Sequence, residues 1–379
     1  MNVTCDRKAM ETGILTASKA VNAKSPLPIL SHLLVRAEED SLHFSATDLE
    51  MVIECQVPAQ VVEPGAFTAP ARVLTEIITQ LPESEVHLDL VGTSQARIRT
   101  RSSKFTVNTL SHDEYPRLPS PESTEGLVVS ADGFRDMIKS VLFSVAPPEE
   151  TRAILTGILT QVEGDRAVLV TTDGRRLARI EKNFEAPAVT GSYRSIIPAR
   201  AMGELMRLLH DNPGTLQILP GKGQVFFKFG NIGLVARLLE EGKFPDCDTI
   251  IPRSFARTVH ANREQFLGSV RRALIMAQEK DSPRLLRLEI EADRISVRSN
   301  TPDLGTADEE LSAWLEGDPI TIAFNGRYLL DALSNLSSDE IRLFLNEPLT
   351  MGMLKPADSD GPLYLIMPVR VKDIASSPV

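Results

Sequence analysis

Residues 171–177 read TTDGRRL, which sets the carboxylate of Asp173 beside the guanidinium groups of Arg175 and Arg176. Such a trio would suit phosphoester chemistry, with a carboxylate to accept a proton and two arginines to hold a phosphate. That reading predicts turnover that depends on Asp173. The aspartate has a counterpart in Asp48, within ATDLEM at residues 46–51, where the arginines are missing. An aspartate common to both stretches reads more simply as a turn former, because its side chain bonds backbone N–H groups two residues on. Residues 220–225, PGKGQV, look like a phosphate loop but lack the GxxxxGK[ST] spacing and a following helix. Cys5, Cys55 and Cys247 form no CxxC pair, and their odd number argues against a disulfide framework. His32, His43, His87, His112, His210 and His260 are scattered without HExxH spacing, so neither a structural zinc nor a zinc hydrolase is expected. No Ser–His–Asp order and no paired carboxylates stand out by spacing. The expectation is a chain with no metal, no cofactor and no catalysis of its own.

The composition fits a folded globular chain. Its 379 residues are 42% hydrophobic and 24% charged, with 41 Lys+Arg against 51 Asp+Glu for a net charge of −10. This balance argues against disorder, and the length suggests two or three domains. No apolar run approaches the ~18 residues of a membrane span. Residues 1–10 carry Asp6, Arg7 and Lys8 and no apolar signal core, so a cytoplasmic location is expected. The negative total excludes a chain that is basic all over, but not a local basic stripe.

The elements that would position these residues recur along the chain. Amphipathic helices are expected at 6–21, 132–145 and 262–276, with apolar stripes Met10/Ile14/Ala17/Val21, Phe134/Ile138/Val141/Val145 and Phe266/Val270/Leu274. Strands running into polar turns end near Asp48, Asp173 and Asn300, at nearly equal intervals. A strand followed by a second helix recurs around Arg72, Arg200 and Arg327 at the same interval. Tyr115 and Phe244 echo each other at that interval once more. The shared period, about a third of the chain, is too long for a solenoid repeat and describes one domain used three times. Alternating runs between the helices predict antiparallel strands, so each repeat is α+β, with two helices packed on antiparallel sheet. Pro-rich boundaries at 115–126 and 243–255 place the domains at 1–120, 126–247 and 253–379.

The helices are basic relative to the remainder: the six expected segments sum to +4 and the rest of the chain to −14. Two explanations stand side by side. The charges form ordinary solvated faces with i,i+4 pairs, or they build one weakly basic surface able to follow a phosphate backbone without reading bases.

Taken in order, residues 25–51 (SPLPILSHLLVRAEEDSLHFSATDLEM), 67–82 (FTAPARVLTEIITQLP), 151–159 (TRAILTGIL), 171–178 (TTDGRRLA) and 364–371 (YLIMPVRV) resemble the bacterial DNA sliding clamps, the beta subunits of DNA polymerase III. The resemblance spans essentially the whole chain. It implies three clamp domains per chain, and a head-to-tail homodimer closing into a six-domain ring around duplex DNA. Lys24, Arg72, Arg135, Lys139, Arg200, Arg207, Arg263 and Arg271 would face that DNA. It further implies a hydrophobic pocket for linear peptides of the clamp loader, the replicative polymerase and repair proteins. Leu155, Thr172, Gly174, Arg175, Arg176 and Leu177 would form one wall, Pro245 and Ile250 a second. Leu349, Leu365, Ile366, Met367, Pro368, Val369 and Arg370 would complete it, although strand alternation alone also explains Leu365, Met367 and Val369. Cys247, Asp248, Thr249 and Met351 depart from the family pattern and bear on the pocket rim. Phe105, Ile275, Met276 and Glu309 would meet at the dimer contact, with Lys104 and Arg101 opposite Glu309 and Glu310; core packing explains Phe105 and Ile275 equally well. A diverged clamp paralogue with altered partner or inhibitor binding is the alternative.

Overall fold

Each repeat runs strand, helix, a group of antiparallel strands, second helix and three more strands. The computed structural model describes all residues except 83, 93, 123–125, 185–191, 241, 278–283, 303, 359–360 and 371–379. Part of the expected boundary at 115–126 and the end of the expected third domain therefore lie outside the described residues. The first repeat contains β1 (Asn2–Asp6), α1 (Arg7–Ser18), β2 (His32–Glu38), β3 (Ser41–Thr47), β4 (Met51–Pro58), β5 (Gln60–Glu63), β6 (Gly65–Pro70), α2 (Ala71–Gln80), β7 (Glu85–Val91), β8 (Gln95–Arg99) and β9 (Lys104–Asn108). The second contains β10 (Leu127–Ser130), α3 (Ala131–Leu142), β11 (Gly157–Glu163), β12 (Arg166–Thr172), β13 (Arg176–Asn183), β14 (Ser192–Pro198), α4 (Ala199–His210), β15 (Thr215–Gly221), β16 (Gln224–Phe229), β17 (Ile232–Arg237) and a single turn, α5 (Cys247–Ile250). The third contains β18 (Arg257–Asn262), α6 (Arg263–Met276), β19 (Leu285–Ile290), β20 (Arg294–Thr301), β21 (Gly305–Glu316), β22 (Ile320–Asn325), α7 (Gly326–Asn335), β23 (Glu340–Leu345), β24 (Gly352–Pro356) and β25 (Leu363–Ile366).

The first helix of each repeat starts where a polar side chain ends the preceding strand. Asp6, Ser130 and Asn262 accept bonds from the N–H groups of Ala9, Gly133 and Gln265 at 3.0, 3.2 and 3.1 Å, the capping that an orphan N-terminus needs. The expected stripes are buried up to Ala17, Val141 and Leu274. Val21 and Val145 fall beyond the helix ends and are half-buried. After Leu142 the chain turns, and the hydroxyl of Ser144 engages that of Thr171. Gly13 lets α1 lie close on β3, since a Cβ there would stand 2.5 Å from the Phe44 ring.

By contacts the described chain forms two units. The first comprises Met1–Arg135, Phe184–Tyr193 and Arg200–Leu239. It holds a sheet of order β5-β1-β7-β8-β9 and an eight-stranded sheet β10-β15-β16-β17-β4-β3-β2-β6. The second comprises Asp136–Asn183, Arg194–Ala199 and Glu240–Val379, and holds a twelve-stranded sheet β14-β11-β12-β13-β25-β24-β23-β18-β21-β20-β19-β22.

One rule underlies these orders. Every repeat makes two strand quartets: β1-β7-β8-β9 with β6-β2-β3-β4, then β10-β15-β16-β17 with β14-β11-β12-β13, then β18-β23-β24-β25 with β22-β19-β20-β21. A quartet of one repeat fuses with a quartet of the next through their last strands. The first seam is β4·β17, with Val52 opposite Val235. The second is β13·β25, with Leu177 opposite Leu365. Two last strands are left over. Among the described residues, β9 pairs only with β8, and residues 305–312 of β21 pair only with β20.

Candidate functional site

The TTDGRRL stretch is a turn entering the second seam. Asp173 Oδ1 accepts the N–H groups of Arg175 and Arg176 at 2.9 and 3.0 Å, and Oδ2 accepts Arg176 Nε at 3.0 Å. Thr172 Oγ1 donates to the Arg176 carbonyl at 2.7 Å and accepts from Gly174 N at 3.0 Å. The first repeat reproduces these backbone bonds. Asp48 Oδ1 accepts from Glu50 and Met51 at 3.0 and 2.8 Å, and Thr47 Oγ1 bonds the Met51 carbonyl and Leu49 N at 2.8 and 3.0 Å. Gly174 holds φ +85°, where a glycine is at ease; Leu49 holds φ +77° at the matching place. The Asp173 carboxylate thus closes a loop, and its oxygens are engaged by donors of the turn itself.

Beside this turn lies a small, mostly apolar cleft of about 100 Å³, lined by Thr172, Gly174, Arg175, Arg176, Leu177, Pro245, Ile250, Met351, Leu365 and Met367. Nine of the positions expected from the sequence thus come together. The other expected wall residues do not line it. Leu155 and Ile366 are buried, and Leu349 is exposed and outside the lining. Pro368 and Val369 tie the chain to β22: Pro368 bridges Phe324, and Val369 N donates to the Ala323 carbonyl at 2.8 Å. Arg370 is exposed and outside the lining. Of the departures, Cys247 is buried within α5 and Thr249 folds back on the Asp246 carbonyl at 2.8 Å. Asp248 stands exposed, 3.9 Å from Arg179. Met351 alone of the four enters the wall.

Arg176 is the polar anchor of the cleft. Besides Asp173, it bonds Asp331 Oδ2 at 2.6 Å, and its guanidinium lies 4.4 Å from the Tyr328 ring centre and 5.5 Å from that of Phe143. The bond to Asp331 joins parts of the chain so far apart in sequence that no local pattern gives a signal for it. Arg152 is a second neighbour that the sequence did not flag, with Nη2 3.0 Å from where a Cβ on Gly174 would stand.

The expected DNA-facing cations divide into two groups. Arg72 bonds Glu76 at 2.7 Å and Arg135 bonds Asp132 at 2.7 Å. Arg200 pairs with Asp48 and Arg207 with Glu204. Arg263 is largely enclosed, bonded to Glu264 at 2.5 Å and to the Ser338 carbonyl at 2.9 Å. Lys24, Lys139 and Arg271 are exposed, and no described carboxylate pairs with them. The basic faces are therefore weaker than the residue count suggests.

At the open edges, Phe105 on β9 is 39% exposed, while Ile275 near the end of α6 is exposed and Met276 beside it is half-buried. Lys104 is exposed on β9; Asp308 and Glu310 are exposed on β21. The Glu309 carboxylate is held by Arg272 of its own unit, at 2.6 and 3.0 Å. All three cysteines are buried free thiols, and burial pushes each up to about 11. No helix among the described residues is long and apolar enough to cross a membrane.

Three family models match the chain. The N-terminal domain of the DNA polymerase III beta subunit matches residues 1–119, the central domain 128–246 and the C-terminal domain 248–370. The chain is 31% identical to a beta sliding clamp of Synechocystis, over 98% of this chain and 100% of the relative. It is similar to the crystal structure of the DNA polymerase sliding clamp from Bacillus subtilis, with TM-score 0.94 and 29% identity, covering 98% of this chain and 100% of that one. A sliding clamp from Bartonella birtlesii bound to griselimycin is similar at TM-score 0.91 and 31% identity, with the same coverage.

Proposed function

Because the chain belongs to the DNA polymerase III beta subunit family, we propose that it works as a DNA sliding clamp. Two copies close head to tail into a ring that encircles duplex DNA, and the ring tethers the replicative polymerase and other partners. The observation that carries this reading is the seam rule. Last strand joins last strand at β4·β17 and β13·β25, and among the described residues the free edges of β21 and β9 remain without a partner. A second copy supplies the missing strand at each end, so a heterologous contact closes instead of growing into a filament. The edges suit one another: Lys104 and Phe105 on β9 face a β21 edge carrying Asp308 and Glu310, with Ile275 and Met276 adjoining and Glu309 engaged on Arg272.

Lys24, Lys139 and Arg271 touch phosphates directly in this reading. Arg72, Arg135, Arg200, Arg207 and Arg263 contribute less, because carboxylates already neutralise them. A topological link needs no tight grip, and few free cations favour movement along the duplex. The cleft at the second seam takes an apolar residue of a partner's linear motif against Leu177, Leu365, Met367 and Met351, while Arg175 and Arg176 meet its polar groups. The protein acts in the cytoplasm as a non-catalytic subunit, with domains at 1–120, 126–247 and 253–379.

The test is retention on two DNA topologies. The protein is loaded by its clamp loader onto nicked circular plasmid, half the sample is linearised, and both are gel-filtered at raised salt. Protein that stays with the circle and leaves the linear form supports encirclement. Equal loss from both, with loading verified beforehand, overturns it.

A further inference from the structure

We propose that the first seam carries a second peptide-binding groove, suited to an extended acidic segment of a partner protein. The proposal extends the reading of the second-seam cleft as a peptide site, but it stands on its own cavity. In the first unit, residues 117–121 pass over one face of the eight-stranded sheet and, with it, line a cavity of about 520 Å³, within the size range of ligand sites. Its floor is Val52 and Val235, paired across the seam, with Phe226 beside them. Gly233 lies opposite Glu54 in the same floor, and a Cβ there would meet nothing within 4 Å. Pro119 and Pro121 lack N–H donors, so the covering segment cannot extend the sheet as a central strand.

The two seams are equivalent in register. Val52 opposite Val235 corresponds to Leu177 opposite Leu365. Tyr115-Pro116 enters the first crossing as Phe244-Pro245 enters the second, one repeat later. Both carry cations, and what differs is how far these are engaged: Arg176 at the second cleft is held by Asp173 and Asp331. Arg36, Arg117 and Lys228 line the first groove against one carboxylate, Glu54. That carboxylate is already engaged: it accepts from Ser45 Oγ at 3.1 Å and lies 3.6 Å from His43 Nδ1. Arg36 has Glu38 at 3.5 Å. Arg117 and Lys228 are exposed, and no described carboxylate pairs with them. An apolar floor under unpaired cations recognises a chain that alternates leucine with aspartate or glutamate, since charge-assisted contacts add to apolar burial.

The probe is a fluorescein-labelled acetyl-DELDLE-amide peptide, followed by anisotropy on the full-length protein, with acetyl-NQLNLQ-amide as its uncharged match. The acidic peptide should bind at least about tenfold tighter than the uncharged one, and R117E/K228E should cost at least about tenfold. Lys228→Gln alone should give a smaller loss in the same direction, with an unchanged melting profile showing that the fold is intact. The second unit has its own cationic groove at Lys182 and Lys355, so M367E/K355E serves as the comparison and should bind within about twofold of wild type. No binding at millimolar peptide, equal binding of both peptides, or indifference to R117E/K228E overturns the proposal. So does loss of binding in M367E/K355E, which would move the site to the second unit. Failure of circle-selective retention with this pattern intact would count against the clamp reading alone.

Discussion

Replacing Phe105 with alanine should part the two chains. Phe105 stands on the open edge strand β9 with 39% of its surface exposed. A phenylalanine presents roughly 200 Å², so about 80 Å² remains to be covered, contributing about 2 kcal/mol at ~25 cal/mol per Å². A closed pair makes this contact twice. The cost is therefore about 4 kcal/mol, or roughly a thousandfold in the dimer dissociation constant. No hydrogen bond is lost, so each chain should fold as before. Val62→Ala is the control, because Val62 is 76% exposed on β5, the opposite edge of the same sheet. Sedimentation equilibrium over a concentration series measures both variants. A shift below about tenfold for F105A, or an equal shift for V62A, would refute the placement of β9 at the chain contact.

Three further outcomes are expected. Arg176→Ala should destabilise the second unit by about 2 kcal/mol and Arg176→Lys by about half that, because an ammonium cannot fork between two carboxylates. Trp314, the single tryptophan, reports that unfolding by fluorescence, and full additivity with Asp331→Asn would sink the pairing. Met367→Asp should weaken binding of a clamp-binding peptide by at least about tenfold through an unpaired carboxylate in the cleft. Met367 is 44% exposed, so the melting temperature should hold, and unchanged affinity would remove the cleft from the binding site. For the thiols the sign is set by burial. Each folded pKa, about 11, lies above the ordinary 9.0, so the unfolded chain ionises first. Their stabilisation is present below about pH 9 and is lost as pH rises toward 11. Ellman's reagent at pH 8 should meet almost no reactive thiol until urea is added; rapid labelling of the native protein would contradict the burial.

Much of the fold was legible because the first helix of each repeat carries two independent signals, an apolar stripe and a cap at the end of a strand. Asp6 and Asn262 gave helix starts within a residue. The far ends were less clear, since Val21 and Val145 keep the period after the helices have stopped. Alternation marks a strand as half-buried but does not say which strand lies beside it. Val52 meets Val235 from the far side of an intervening repeat boundary, and nothing local in either strand announces the pairing. The same distance problem hid the fates of charged groups. Arg263 looked like an exposed helix arginine until the Ser338 carbonyl claimed its Nε. Cleft residues next to the turn were implied by the family resemblance, which TTDGRRL helps to carry. Met351, expected at the rim from the family resemblance, joins them from the loop before β24, and the pairing of β24 with β25 brings it there.

The seams differ in how their strands are held together. β4·β17 and β13·β25 join parts of one polypeptide, so each strand meets its partner at a high effective concentration that the connecting chain sets. In the proposed ring the β9·β21 joint draws its partner from solution, at whatever concentration solution provides. Dilution therefore acts on that joint alone. A protein that opens the ring needs to break one strand pairing and leave both fused sheets intact, and closure afterwards is a docking step in which neither sheet has to refold.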